Sequence, residues 1–289
     1  MTKGRNRSGN QENIRHANRV KMQEERSAGR GKRNQQQVVE DRWAKKSGKT
    51  RQEVQPQKFQ EERTAKVIPL VAKNDNQKLA LKAFTEKQCI VLSGSSGAGK
   101  TTLAVWWACA QFLKGNIDNI VFTRGEKGLG ATPPVPGNDT EKMLTLCLPM
   151  LLKAKEFVGT GILRNNLCMQ DTDFLFGEVK GFTVFPMAKM GGMSFTSRTI
   201  VICDEAQASE VPQIKALATR PEGGCQVIIC GDTTQSPVKG RENGLSYLER
   251  KMLEFPYDDS VVIKFTPDDC CREGWTQHIS AVFEEDGVW

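Results

Sequence analysis

From about residue 67 onward the chain alternates short apolar runs with longer mixed stretches. Runs at 89–93, 119–123, 182–185, 199–203, 226–230 and 260–265 predict strands, and stretches at 101–113, 140–158, 210–218, 245–253 and 275–283 predict helices. Several of the strand runs are apolar at every position rather than every second one, which suits strands covered on both faces. The alternation predicts an α/β fold with a mainly parallel sheet and helices on both faces. Pro149 falls inside 140–158 and splits or kinks that helix. Residues 125–138 carry Gly125, Gly128, Gly130, Pro133, Pro134, Pro136 and Gly137 and read as an irregular loop directly after a strand. Such a loop lines the ligand crevice of a parallel sheet or is plain surface connection.

The first part of the chain follows another pattern. It has no Leu before Leu70 and is rich in Gln, Arg, Lys and Asn. Too little apolar surface is available there to offset chain entropy. Residues 1–62 are therefore expected to be a largely disordered basic tail, with a fluctuating helix near 11–25, and 63–289 to be the folded domain. Residues 1–66 hold 18 basic and 8 acidic side chains, a net of +10, against 23 and 26 in the remainder, a net of −3. The overall +7 thus belongs to the tail. A solvated linker and a polybasic arm for RNA or DNA phosphates both fit this composition. Arg26, Arg30, Lys32 and Arg33 with interleaved Gly, and Trp43 for stacking, suit the arm.

The chain has nine cysteines. Cys89, Cys203 and Cys230 lie in strand-like runs and Cys109 in a helical stretch, as small buried hydrophobes. No Cys-x-x-Cys pair occurs, and the two histidines are His16 and His278, which argues against a zinc site. The adjacent pair Cys270-Cys271 is sterically poor for closing on itself. No apolar leader and no run of 18 apolar residues occurs, so a cytoplasmic protein without a membrane span is expected.

Candidate chemistry begins after the first strand. Gly94-Ser95-Ser96-Gly97-Ala98-Gly99-Lys100-Thr101 is a complete phosphate-binding P-loop between a predicted strand and a predicted helix opening at Thr101-Thr102. Its glycines let backbone N–H groups turn around a phosphate, and the helix N-terminus adds positive partial charge. Lys100 can reach the β- and γ-phosphates, and the Thr101 hydroxyl can ligate Mg²⁺. Downstream, Thr199-Ile200-Val201-Ile202-Cys203-Asp204-Glu205-Ala206-Gln207 has the form of a Walker B strand. Its apolar run carries Asp204 to the strand's carboxyl end to hold Mg²⁺, with Glu205 next to orient or deprotonate an attacking water. A third strand, ending Gly231-Asp232-Thr233-Thr234-Gln235, offers Gln235 to the γ-phosphate and Asp232 to the metal shell, or is simply a turn. No Asn-Lys-x-Asp guanine reader occurs, and Gln77, 17 residues before Gly94, is placed to read an adenine edge, so ATP is the expected nucleotide.

Taken in order, these motifs resemble the PhoH family, P-loop ATPases related to superfamily 1 helicases, over about residues 74–283. The carrying residues are Asn76-Gln77, the P-loop with Thr102-Leu103-Ala104, Thr123-Arg124, Gly137, Glu141-Lys142 and the Asp204–Gln207 box. Thr219-Arg220, Gly231-Asp232 with Gln235, Asn243-Gly244-Leu245 and Arg272 complete the series. The resemblance implies a RecA-like core that hydrolyses ATP with Mg²⁺, a homo-oligomer in the form of a ring such as a hexamer, and a link to RNA. One departure stands out: the family's Arg-Gly-Arg-Thr-like element before the Walker B strand is replaced by Met190-Gly191-Gly192-Met193-Ser194-Phe195, without arginine.

The expected reaction is attack of water on the γ-phosphate. Lys100 and Mg²⁺, held by Thr101 and Asp204, neutralise charge, Glu205 positions the water and Gln235 senses the phosphate. An arginine finger is expected, with Arg272 as first choice and Arg220 and Arg124 after it. Three functions fit these residues: an ATP-driven enzyme that remodels or unwinds RNA or another single-stranded nucleic acid, an ATP-gated adaptor for an RNA-processing partner, and an ATPase whose tail binds an acidic protein.

Overall fold

The computed structural model describes residues 68–125, 139–168, 180–236 and 241–285. The predicted tail and its helix, and residues 126–138 of the predicted loop, lie outside the described residues. The described residues form one seven-stranded sheet. Its strands are β1 (Cys89–Gly94), β2 (Asn119–Arg124), β3 (Leu167–Cys168), β4 (Gly181–Val184), β5 (Thr199–Asp204), β6 (Gln226–Gly231) and β7 (Ser260–Phe265). They lie in the order β3-β4-β2-β5-β6-β1-β7, and every pairing is parallel. The helices are α1 (Asp75–Glu86), α2 (Lys100–Leu113), α3 (Asp139–Leu146), α4 (Leu148–Val158), α5 (Thr160–Asn166), α6 (Val211–Ala218), α7 (Gly244–Glu254) and α8 (Trp275–Glu285).

The continuously apolar strands divide their side chains between two cores, because successive residues of a strand point to opposite faces. Ile90, Leu92, Ile120, Phe122, Ile200, Ile202 and Ile228 pack under α1, α2 and α4, where Phe84, Leu103, Phe112 and Met150 are buried. Val91, Val121, Val201, Cys203, Val227 and Ile229 pack on the other face against Ile214 and Leu217 of α6 and Leu245 of α7. Both faces are covered, as the sequence pattern requires.

The six predicted strands all form, with ends shifted by a residue or less. The predicted 140–158 helix is two helices, α3 and α4, broken at Cys147 with Pro149 in the first turn of the second. Proline there lacks only an N–H that the first turn does not use. Three elements are not predicted from the sequence pattern: α1, α5 and the two-residue β3. Helix α1 buries Gln77, Ala80, Ala83 and Phe84, so small and polar residues replace a clear apolar stripe. Asn74 caps it, its side-chain oxygen accepting from the Gln77 amide at 2.8 Å. Gln226 at the start of β6 then locks α1 and α2 to the sheet. Its amide nitrogen donates to the Phe84 and Lys87 carbonyls, each at 2.8 Å, and its oxygen accepts from the Trp107 indole at 2.6 Å.

All nine cysteines are free thiols. Burial raises the Cys89 thiol to about 11 and the Cys225 thiol to about 12, and pushes Cys109, Cys203 and Cys230 higher still. Among the described residues no helix is long and apolar enough to cross a membrane.

Phe182 is fully buried between Phe112 and Phe122, with ring centroids 5.0 and 6.3 Å away. Phe182→Ala is expected to lower stability by about 3–5 kcal/mol. Urea unfolding followed by circular dichroism checks it; an unchanged midpoint would show that this cluster does not hold α2 to the sheet.

Candidate active site

Strands β1, β6 and β5 are adjacent, and their carboxyl ends deliver the three predicted motifs to one edge of the sheet. A cavity of about 710 Å³ opens there. Its walls include Ser96, Gly97 and Gly99–Thr101 of the P-loop, Asp204 and Glu205 after β5, Asp232 and Gln235 after β6, and Arg272. A crevice at the carboxyl ends of parallel strands is the expected ligand position in such a sheet.

The P-loop turns on glycines with positive φ: Gly94 (117°), Gly97 (81°) and Gly99 (84°). Gly94 must also be glycine for space, since a Cβ would lie 1.9 Å from the Phe265 carbonyl oxygen of β7. Gly99 is the N-cap of α2, with Lys100 and Thr101 in its first turn. Lys100 Nζ donates to the Gly94 and Ser95 carbonyls at 2.6 and 2.7 Å, inside the loop. Burial pushes its pKa down, while the nearby carboxylates of Asp232, Asp204 and Glu205 pull it back up.

Thr101 Oγ1 donates to Asp204 Oδ1 at 2.8 Å, joining the P-loop helix to the end of β5. Burial raises the Asp204 pKa, and the Thr101 bond opposes the rise. Among the described residues no group of three His, Cys, Asp or Glu side chains gathers to hold a metal. The Thr101 hydroxyl and the Asp204 carboxylate are hard oxygen donors, of the kind that could hold Mg²⁺ together with phosphate oxygens and water. Such a cation would hold Asp204 ionised despite its burial.

Glu205 has φ 50° and ψ 40°, the only positive φ outside glycine among the described residues. Its Oε2 accepts from Gln207 Nε2 at 2.6 Å, and its Oε1 lies 3.8 Å from Arg124 Nη2. Arg124 Nη1 also donates to the Leu146 carbonyl at 3.0 Å. Asp232 caps a short 3₁₀ turn, Thr233–Gln235; its carboxylate accepts from the Thr234 amide and hydroxyl and, at 3.0 Å, from Gln235 Nε2.

Gln77 lines the same cavity but is only 4% exposed, and protein atoms already use its amide. Its oxygen accepts from Lys73 N at 2.8 Å, and its nitrogen donates to the Ala98 carbonyl at 2.9 Å and to Cys271 Sγ at 3.0 Å. Gln77 thereby ties residues 70–73, of which Leu70, Val71 and Lys73 line the cavity, to the P-loop. An adenine contact by Gln77 requires exchange of these bonds.

The three arginines separate. Arg272 reaches the P-loop, with Nη2 donating to Ser96 Oγ at 3.2 Å, and the Cys271 amide donates to the Gly97 carbonyl at 3.0 Å. Arg124 stands beside Glu205. Arg220 is exposed, and its carbonyl accepts from Phe195 N just ahead of β5. It therefore sits at the amino ends of the strands, the edge opposite the P-loop. Sequence reasoning assigned no role to Leu70, Val71, Lys153, Gln207 or Cys271, which also line the cavity. Only Gln207 carried a signal, its place in the acidic box.

The family model described as PhoH-like protein matches residues 69–284. Protein PhoH of Escherichia coli (strain K12) is 31% identical over 216 residues, covering 72% of this chain and 56% of that protein. The PhoH-like protein of Bacillus subtilis (strain 168) is 28% identical over 231 residues, covering 78% of this chain and 68% of its own. The chain thus spans little more than half the length of the first of these relatives. Among solved structures, the large terminase of a thermophilic bacteriophage in complex with ADP aligns with a TM-score of 0.43 at 12% identity, covering 72% of this chain and 48% of that one. The Pif1 helicase of Candida albicans aligns with a TM-score of 0.34 at 16% identity, covering 68% and 40%.

The raised pKa of Asp204 makes a stability prediction. Between the ordinary carboxylate range and the raised native value the folded chain holds a proton that the unfolded chain has released. Stability from this group therefore falls as pH rises through that window. Without nucleotide or Mg²⁺, Asp204→Asn should raise the thermal midpoint at pH 7 by a few degrees, and the gain should shrink as pH drops toward the ordinary carboxylate range. Differential scanning fluorimetry across pH checks this. A midpoint lowered at every pH would mean that the charge itself stabilises the fold.

Proposed function

The chain belongs to the PhoH family, and from that premise we propose that it binds ATP with Mg²⁺, hydrolyses it, and couples turnover to remodelling or unwinding of RNA or another single-stranded nucleic acid. The observation that carries the reading is the Thr101–Asp204 hydrogen bond, with Glu205 next in sequence. It supports the reading because it joins the P-loop helix to the acidic end of β5 beside one cavity, where a phosphate, a cation and an attacking water would have to meet.

In this mechanism the P-loop amides and Lys100 hold the β- and γ-phosphates. Thr101 and Asp204 would hold Mg²⁺, which would supply positive charge against the phosphate oxygens. Glu205 accepts a proton from, or orients, the attacking water, and Gln235 exchanges its Asp232 bond for the γ-phosphate. Arg272, already against Ser96, is the arginine best placed to act on nucleotide in its own chain. Arg220, at the far edge of the sheet, can serve only a site on a neighbouring copy, as a ring oligomer would provide. The basic stretch 1–62 supplies the affinity for nucleic acid, through phosphate neutralisation.

A second reading is an ATP-gated adaptor for an RNA-processing partner. It needs no more than the one nucleotide site at the edge of the described sheet.

Two measurements test these readings. Glu205→Gln should keep ATP affinity, measured by equilibrium binding, while hydrolysis falls by about 10²–10⁴-fold; full activity would remove Glu205 from the mechanism. Lys100→Ala, by contrast, should lose most of the affinity. Hydrolysis by the full chain should rise with single-stranded RNA and faster than linearly with protein concentration, and the RNA effect should vanish without residues 1–62. Turnover indifferent to RNA and to protein concentration would reject the coupling and the finger in trans.

A further inference from the structure

Gln207 bonds in three directions. Its side-chain nitrogen donates to Glu205 Oε2 at 2.6 Å. Its side-chain oxygen accepts from the Asp232 backbone amide at 3.0 Å, and its backbone carbonyl accepts from Ser236 Oγ at 3.1 Å. The last two bonds bracket the short turn that carries Gln235. Gln207 is itself 3% exposed and its bond with the Asp232 amide is buried, while the Glu205 carboxylate and Ser236 at the other two bonds are partly exposed.

The surrounding backbone is shaped to this side chain. At Gly231 a Cβ would lie 2.6 Å from Gln207 Oε1 and 2.6 Å from a Leu245 methyl carbon, so only glycine lets the end of β6 close on the amide. Glu205 itself stands in the left-handed region, which places its side chain in a direction ordinary strand continuation would not. A Cβ on Gly125 would lie 2.2 Å from the Glu205 carbonyl oxygen, so the neighbouring strand end also yields to this conformation. Strained backbone of this kind persists only where neighbours hold it.

We infer that Gln207 is a positioning residue: it fixes the Glu205 carboxylate and makes its orientation depend on the 232–236 turn, so that Gln235 meeting a γ-phosphate is transmitted to the general base through one amide. The inference rests on the hydrolytic reading above. It differs from a purely structural role because it acts through Glu205. Gln207→Glu keeps an acceptor for the Asp232 amide but loses the donor to Glu205. Gln207→Met keeps the length of the side chain and loses both bonds.

The test measures kcat and KM for MgATP, equilibrium ATP affinity and thermal unfolding for the wild type, both Gln207 variants, Glu205→Gln, and the double variant of Glu205→Gln with Gln207→Met. Each Gln207 variant should lower kcat by about 10²-fold with ATP affinity near wild type, as expected when a catalytic group is misplaced. In the Glu205→Gln background Gln207→Met should lower the residual rate no further, since residues acting as one unit are not additive. Three outcomes overturn the inference: wild-type kcat in a Gln207 variant, losses that multiply in the double variant, or a fall in rate matched by equal falls in affinity and unfolding temperature. An inactive wild-type chain would instead reject the hydrolytic reading, and this inference with it.

Discussion

The hydrogen bond from Thr101 to Asp204 spans the carboxyl end of β6 and joins the first turn of α2 to the end of β5. It can form only because β1, β6 and β5 are neighbours and parallel, so that the residues following each strand emerge on the same edge. Burial around Asp204 disfavours its charge, and the Thr101 hydroxyl returns part of that cost. Most of the site follows from this one junction: Glu205 must turn at once into a left-handed conformation, and Gly231 must carry no side chain where Gln207 closes over the strand end.

Polar groups at this buried edge satisfy one another. Lys100 bonds to loop carbonyls, Gln235 to Asp232, Gln207 to Glu205 and to the Asp232 amide, and Gln77 to the Ala98 carbonyl. Buried donors and acceptors need such partners. A phosphate offers acceptor oxygens to Lys100 and Gln235 in place of the protein atoms they now use. In the proposed function, such an exchange would leave donors already aimed at the site, the property electrostatic catalysis requires.

The arginines illustrate how position in the fold sorts residues of one type. Arg272 follows β7 and its short turn back to the P-loop, Arg124 ends β2 beside Glu205, and Arg220 lies at the foot of α6 on the opposite edge. All three belong to the motifs on which the family resemblance was read, yet only two stand near the cavity. The proposed division between action within one chain and action on a neighbouring copy rests on this separation of the two sheet edges.

The strands were legible because continuous apolar runs between polar breaks have few alternatives in a chain of this composition. The P-loop and the acidic strand were legible because their chemistry demands particular residue types at fixed local spacing. Family membership followed from those local motifs in order. What the sequence did not show arises from contacts between distant segments. Helix α1 buries alanines and a glutamine, so its amphipathic stripe is faint until α2 and the sheet lie under it. Gln77 reads as a base-contacting amide in isolation, but the fold surrounds it with Lys73, Ala98 and Cys271, from three separate stretches of chain. The role inferred for Gln207 depends on the end of β6, 25 residues further on. Local spacing determined which chemistry the chain carries; strand order alone decided which side chains meet to perform it.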